Sequence, residues 1–121
     1  MDIFIDTSSI LFSFGNKKDL FDNLLENFPG SRLIISQGVM GELEKLAATR
    51  KRISSYAKIA IKEISNNKSI IVEKNKQVPD LWLLGKAKKS TYICTNDIAL
   101  KQKLKRKGAR VVSVSKDGKL R

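Results

Sequence analysis

Residues 2–9 read DIFIDTSS, a short apolar run that ends in an acidic and hydroxyl-rich segment. The run 2–5 predicts a buried β-strand, and the residues Asp6 to Ser9 predict a turn after it. Comparable apolar runs recur along the chain. They predict further strands over 32–36 (RLIIS), 69–73 (SIIVE), 91–95 (TYICT) and 109–114 (ARVVSV).

Between these runs, apolar residues recur at helical spacing. That periodicity predicts helices over 17–28, 38–50, 53–66, 79–89 and about 96–107. Short apolar strands that alternate with helices are typical of the α/β class. We therefore expect one three-layer domain over residues 1–121, with a five-stranded, mostly parallel sheet and helices on both faces.

The residue counts exclude several kinds of chemistry. The chain has no histidine, which excludes Ser-His-Asp and Cys-His triads and every His-ligated metal site. Its one cysteine, Cys94, excludes an intramolecular disulfide and a CxxC zinc cluster. No apolar stretch approaches the ~20 residues of a membrane span, and the start Met1-Asp2-Ile3 lacks the basic region of a signal peptide. We expect a cytoplasmic protein.

Positive charge is concentrated in the last third of the chain. The whole sequence has 24 basic and 12 acidic side chains, a formal net charge of +12. Residues 1–80 hold 12 basic and 10 acidic side chains, whereas residues 81–121 hold 12 basic and only 2 acidic ones. Such a tract favours a polyanionic partner, most commonly nucleic acid, although a solvated lysine surface has the same composition.

Four acidic residues are expected at one edge of the predicted sheet. Asp6 and Asp97 follow strands, Asp80 opens a helix, and Glu42 borders the apolar stripe of its helix. Each has an ordinary structural interpretation: a turn or helix cap for the three aspartates and an ion pair with Lys45 for Glu42. Together, however, they would repel one another unless a cation bound between them, and Mg²⁺ or Mn²⁺ prefers such oxygen ligands.

At four places the residues resemble the PIN-domain ribonucleases. The similar segments, in chain order, are IDTSS (5–9), GELEKL (41–46), PDLWLLGKA (79–87) and YICTND (92–97). The resemblance implies a five-stranded parallel sheet with its acids gathered at one edge, and Mg²⁺- or Mn²⁺-dependent endonucleolytic cleavage of RNA. Two positions depart from the usual pattern. Pro79 stands where an acid or alanine is common, and Ser8 stands where asparagine is common.

The resemblance and the chemistry together suggest roles for these residues. Asp6, Glu42 and Asp97 are the candidate catalytic metal ligands, with Asp80 completing the set or holding a metal-bound water. Four neighbours are expected to orient the carboxylates: Thr7, Ser8, Thr95 and Asn96, the last with helix capping as the alternative.

Six basic residues are candidates for holding RNA phosphates: Lys86, Lys88, Lys89, Lys101, Lys105 and Arg106. Trp82 and Tyr92 could stack on bases, but we expect both to pack in the core, and we expect the same of Cys94.

Two biological roles within the family remain open. One is processing of ribosomal RNA precursors, which the basic C-terminal segment favours. The other is a toxin ribonuclease held inactive by an antitoxin protein. A different class of function is a non-catalytic RNA- or ribosome-binding module. A phosphoacceptor receiver domain is disfavoured, because it needs an adjacent acidic pair after the first strand and an aspartate at the end of the third. Here Asp6 is followed by Thr7, the SIIVE strand leads into Lys74, and the net charge is strongly positive. We also expect a homodimer.

Overall fold

The sheet consists of five parallel strands in the order β3-β2-β1-β4-β5. The computed structural model describes residues 1–121. The strands are β1 (Asp2–Ile5), β2 (Arg32–Ser36), β3 (Ile70–Glu73), β4 (Tyr92–Cys94) and β5 (Arg110–Val112). All five predicted strands are therefore present, and the predicted parallel α/β sheet is confirmed.

Six helices connect the strands. They are α1 (Thr7–Gly15), α2 (Leu20–Asn27), α3 (Gln37–Ala47), α4 (Ile53–Asn66), α5 (Pro79–Lys86) and α6 (Ile98–Arg106). Five of them correspond to the predicted helices, and the last of these five begins at Ile98 with Asp97 as its N-cap. None of the six combines the length and the apolar character that a membrane-spanning helix requires.

Helix α1 was not predicted, and the expected turn over residues 6–9 is wrong. Asp6 caps the helix, because its Oδ1 accepts a hydrogen bond from the backbone N–H of Thr7 at 2.9 Å. The helix buries Ile10 and Phe14 in the core. Burial and capping thus stabilise a helix in a segment whose serines and glycine have low helix propensity.

The helices form a layer on each face of the sheet. Side chains alternate along β1, so Phe4 points to the face opposite Ile3 and its neighbour Tyr92. Trp82 of α5 packs edge-on against Phe4 at 5.8 Å, whereas Phe28, at the end of α2, packs on Tyr92 at 5.5 Å. Helices α1 to α4 pack against one another on the face of Ile3 and Tyr92, and α5 packs with α6 on the face of Phe4.

The core confirms the packing predicted for two residues. Trp82 is 1% exposed, and Cys94 is completely buried between the layers. Burial raises the pKa of the Cys94 thiol to about 12, so this cysteine is an inert core residue. Tyr92 is half-buried, and its hydroxyl accepts a hydrogen bond from Arg110 at 2.7 Å.

The topology places a crevice beside β1. The chain proceeds from β1 outwards to β2 and β3, and then returns to the other side of β1 to form β4 and β5. The direction of strand addition reverses between β1 and β4. In open parallel sheets, ligands bind at the carboxyl ends of the strands next to such a reversal. Asp6 and Thr95 directly follow β1 and β4, so both lie at this point.

Candidate active site

A cavity of about 490 Å³ opens at the carboxyl ends of β1 and β4. All four predicted acids line it: Asp6, Glu42, Asp80 and Asp97. Thr7, Ser8, Leu11, Lys45 and Leu46 complete the lining. The parallel topology therefore gathers carboxylates from the ends of two strands and from helices α3 and α5 around one open space.

Asp6 is the buried acid of the cavity, with only 4% of its surface exposed. One carboxylate oxygen caps α1, and the other accepts hydrogen bonds from the hydroxyls of Ser8 and Thr95, each at 2.8 Å. Burial raises the pKa of Asp6, and the negative charge of Asp80 raises it further, although the hydroxyl donors oppose the shift. Its ionised form would therefore gain from a nearby cation.

Glu42 lies at the exposed side of the cavity on α3. Its carboxylate accepts a hydrogen bond from the hydroxyl of Thr7, which joins α3 to the start of α1. The alternative in which Glu42 pairs with Lys45 is wrong, because none of the three ion pairs of the structure involves either residue. No basic side chain is therefore paired with the Glu42 carboxylate at the cavity.

Asp97 and Asp80 lie at the N-terminal ends of helices α6 and α5, and both line the cavity. Asp97 caps α6, since its Oδ1 accepts from the backbone N–H of Leu100 at 3.1 Å. Asp80 lies exposed in the first turn of α5. Capping and ligand binding are compatible, because a carboxylate has two oxygens and about four lone-pair sites.

Thr95 and Ser8 link the carboxylate of Asp6 to the backbone of the segment that follows β4. The Thr95 hydroxyl is fully buried, donates to Asp6, and accepts from the backbone N–H of Asp97 at 3.1 Å. Ser8 donates to Asp6 and accepts from the backbone N–H of Asn96 at 3.2 Å. Hydroxyl groups thus hold Asp6 in one orientation and tie the β4 end to it.

Asn96 has a different task from the one expected. Its side-chain amide donates to the carbonyl of Val114 at 2.8 Å and accepts from the Val114 N–H at 2.9 Å. This pair of bonds pins the segment after β5 to the end of β4. Asn96 therefore neither orients a carboxylate nor caps α6, because both ends of its amide are already used.

The donor set matches a hard divalent cation. It contains carboxylate and hydroxyl oxygens and no nitrogen or sulfur ligand, which suits Mg²⁺ or Mn²⁺. No three acids converge closely enough to form a complete ligand cluster by themselves. Mg²⁺ does not require one, since it usually keeps several waters and binds through one or two carboxylates plus substrate phosphate. The residues therefore fit such an ion in an open site.

The comparison with known families agrees with this site. Residues 3–116 match the family model described as PIN like domain. The chain belongs to the PIN-domain family. This PIN domain is 30% identical over 114 residues to Ribonuclease VapC9 of Archaeoglobus fulgidus. The aligned region covers 93% of this chain and 82% of that protein. The resemblance seen in the sequence motifs is confirmed.

Solved structures are similar to this PIN domain over most of its length. The PIN domain endonuclease Utp24 is 27% identical with a TM-score of 0.72, covering 94% of this chain and 85% of that one. A domain of a functionally unknown protein from Methanocaldococcus jannaschii is 15% identical with a TM-score of 0.69, covering 94% and 91%. VapBC-1 from nontypeable Haemophilus influenzae is 16% identical with a TM-score of 0.57, covering 92% and 98%. The last two show the fold alone. The first, with the ribonuclease, places this chain among PIN nucleases.

The six basic candidates of the PIN domain do not surround its cavity. Lys86 forms an ion pair with Glu73 at 2.6 Å. Lys88 and Lys89 precede β4 and so lie at the amino ends of the strands, where Lys89 lies against Gly108. Lys105 and Arg106 are in the last turn of α6, at the opposite end of that helix from its cap Asp97.

Lys101 is the candidate nearest the acids, one turn after Asp97, and its ammonium donates to the Ser113 hydroxyl at 3.1 Å. Most of the expected RNA-binding charge thus lies at the opposite edge of the sheet from the carboxylates.

The sequence reasoning missed Lys45 as a site residue. It lines the cavity with the four acids and has no acidic partner within ion-pairing distance. The signal was present, because Lys45 is three residues after Glu42 and therefore lies on the same side of the helix. A free ammonium beside the carboxylates is suited to a phosphate group.

Proposed function

We propose that this PIN domain is a metal-dependent endoribonuclease that hydrolyses RNA phosphodiester bonds. The observation that carries the proposal is the single cavity lined by Asp6, Glu42, Asp80 and Asp97, none of which is neutralised by a lysine or arginine ion pair. The similarity to a named ribonuclease and a named endonuclease supports it.

The four acids are the residues that would hold Mg²⁺ or Mn²⁺. When bound, such an ion supplies Lewis-acid stabilisation of the charge on the scissile phosphate and lowers the pKa of a water that attacks it. The protein contributes orientation. Hydrogen bonds from Thr95 and Ser8 hold Asp6 in place, and the Thr7 hydroxyl holds Glu42.

Lysine side chains would position the RNA. Lys45, inside the cavity lining, is placed to bind a phosphate oxygen next to the acids. The other candidate contacts, Lys101 nearby and Lys88, Lys89, Lys105 and Arg106 further away, would hold the backbone on either side. Lys86 is the weakest candidate because its ammonium is already bound to Glu73.

Cleavage of end-labelled single-stranded and structured RNA in Mn²⁺, Mg²⁺ or EDTA tests the proposal. We expect cleavage with either metal, none in EDTA, and at least a ~10²-fold loss in Asp6→Asn, which removes a ligand charge with little change in shape. Asp22→Asn is the matched control, because Asp22 is exposed on α2 and lines a different surface. If wild type and Asp6→Asn are equally inert but bind RNA with a steep salt dependence, the protein is a non-catalytic binding module.

We infer a role in RNA processing in the cytoplasm, which the concentration of positive charge after residue 81 and the unpaired Cys94 support. A second candidate is a toxin ribonuclease controlled by an antitoxin protein. Three exposed aliphatic side chains favour it, since Val78, Leu81 and Ile98 are 60, 56 and 74% exposed and a protein partner could cover them. Leu81 and Ile98 directly follow the cavity acids Asp80 and Asp97 in the chain.

Expression in growing cells separates these two roles. A toxin arrests growth when expressed alone, and Asp6→Asn abolishes the arrest, whereas a processing enzyme leaves growth unchanged. The proposal also includes a homodimer, which sedimentation equilibrium of the purified chain tests directly.

A further inference from the structure

A second groove, of about 660 Å³, continues from the carboxylate cavity along α3. One wall is the first two turns of α3, and the other is the 76–79 segment that leads into α5. Glu42 and Lys45 line both spaces, and Pro79 of the groove is followed directly by Asp80 of the cavity. A chain bound at the acids could therefore extend into this groove without a break.

The groove is built by a close contact that requires glycine. The backbone N–H of Gly38 donates to the carbonyl of Asn75 at 3.1 Å. A Cβ atom at Gly38 would lie 2.4 Å from the carbonyl oxygen of Gln77, a distance that side chains do not tolerate. Asn75 also fixes the wall, because its Oδ1 accepts from the Gln77 N–H at 2.9 Å. The two walls are thus held together before any ligand binds.

The groove offers amides to a base and lysines to a phosphate, because Gln37, Gln77, Lys45 and Lys76 line it together with Glu42 and Glu44. Gln37 and Gln77 are exposed residues of the groove. The Gln37 amide offers a donor and an acceptor to the edge of a base, whereas Gln77 offers its NH₂ donors because its Oε1 already accepts from Asn75 at 3.3 Å. Lys45 stands at the junction with the cavity, where a phosphate would lie. Gly41 leaves the floor open, since a Cβ there would meet nothing within 4 Å. Proteins read RNA sequence mainly through single-stranded bases that are splayed out of the stack and hydrogen-bonded at their edges.

We propose that this groove binds the single-stranded RNA nucleotide next to the scissile bond, with its base against Gln37 and Gln77 and its phosphate at Lys45. The inference rests on the proposed endoribonuclease activity and adds to it a base preference at one flanking position, set by Gln37 and Gln77. The groove, rather than the carboxylate cavity, then determines where the RNA is cut.

Filling the groove tests the inference. Gly41→Leu places an alkyl side chain in the open floor of the groove, and Gly85→Leu is the matched control because Gly85 is an exposed helical glycine with equally open space and lines no cavity. Binding of a fluorescein-labelled single-stranded RNA is measured by anisotropy in EDTA, and cleavage is measured in Mn²⁺. We expect Gly41→Leu to bind about tenfold or more weakly and to lose cleavage in proportion, with Gly85→Leu equal to wild type.

Gln37→Ala provides a second variant that leaves the helix backbone unchanged. Mapping cut sites in a random-sequence RNA should show a base preference beside the wild-type cut that this variant reduces. The proposal would be overturned if Gly41→Leu bound and cleaved RNA as well as Gly85→Leu does. It would also be overturned if Gln37→Ala cut the random-sequence RNA at the same sites as wild type. Wild type that binds RNA through the groove but cleaves none would refute the nuclease proposal alone, because the binding comparison does not depend on hydrolysis.

Discussion

Replacement of Thr95 by valine isolates the hydroxyl that connects two acids of the site. Valine has nearly the same shape, so no cavity forms at this fully buried position. The variant loses the bond donated to Asp6 at 2.8 Å and the bond accepted from the Asp97 N–H at 3.1 Å. The first loss falls on the buried carboxylate of Asp6, and the second on a partly buried backbone N–H.

The size of the effect follows from these two bonds. A hydrogen bond to a charged group contributes ~1.5–3 kcal/mol, and an unpaired buried N–H costs ~1 kcal/mol or more. The free energy of unfolding should therefore fall by ~2–4 kcal/mol. For a chain of this length each kcal/mol corresponds to about 4 °C in Tm. The same change should lower cleavage ~10–100-fold, as loss of a group that orients a metal ligand does.

Thr91→Val is the matched control. Thr91 is also buried and lies at the opposite end of β4, where its hydroxyl makes one neutral bond to the carbonyl of Lys86 at 2.9 Å. That variant should lose only ~1 kcal/mol and no activity.

Urea unfolding followed by Trp82 fluorescence measures both variants, because Trp82 is 1% exposed in the folded state. Equal stability and equal cleavage of the two variants would refute the role assigned to the Thr95 hydroxyl.

Two further predictions concern charge away from the cavity. Glu73→Gln should lower the free energy of unfolding by ~1 kcal/mol or less at pH 7, because a half-exposed carboxylate loses charge-assisted bonds from Lys86 and Trp82. Burial opposes ionisation of Glu73, but these bonds outweigh it and lower its pKa. In urea titrations the difference from wild type should therefore shrink as the pH falls below the ordinary glutamate pKa of about 4.3, and it should vanish once the pH lies below the lowered pKa of Glu73. Replacing Lys88 and Lys89 together by glutamine should reduce the slope of log K against log salt for RNA binding by ~1.5, with the single-turnover cleavage rate at saturating RNA unchanged.

Controls for these two predictions lie elsewhere on the surface. Glu63→Gln on α4 should show no comparable pH-dependent difference, since Glu63 has no ion-pair partner. Lys58 and Lys62, both exposed on α4, give a double glutamine variant with the same change in net charge. A salt slope that falls equally in the α4 variant would show that net charge alone, and not contact at Lys88 and Lys89, governs RNA binding.

The sheet and the gathering of the acids were predictable from sequence for one physical reason. Buried parallel strands are nearly continuous apolar runs, and the residue after each run must lie at the carboxyl edge. Asp6 and Asp97 were therefore assigned to the same edge without knowledge of strand order. Glu42 followed from helical periodicity, which placed it beside the apolar stripe of α3.

Helix α1 and the role of Asn96 were not predictable in the same way. The segment TSSILFSFG has weak helix propensity, and its stability comes from burial of Ile10 and Phe14 against distant parts of the chain. The amide of Asn96 pairs with Val114, 18 residues later, a contact that local preferences do not contain. Both features depend on tertiary structure that the one-dimensional pattern does not carry.

The separation of charge across the sheet has a chemical reason. A lysine next to Asp6 or Asp97 would neutralise the carboxylate and compete with a divalent cation for its oxygens. Lys45 is the only basic residue that lines the cavity. Lys88 and Lys89 precede β4 and lie at the amino edge, at the other end of the strands. RNA affinity can then come from charges that do not disturb the metal ligands. Changes at the two edges should therefore be thermodynamically additive: the amino-edge lysines set how tightly RNA binds, and the carboxyl-edge acids set how fast it is cut.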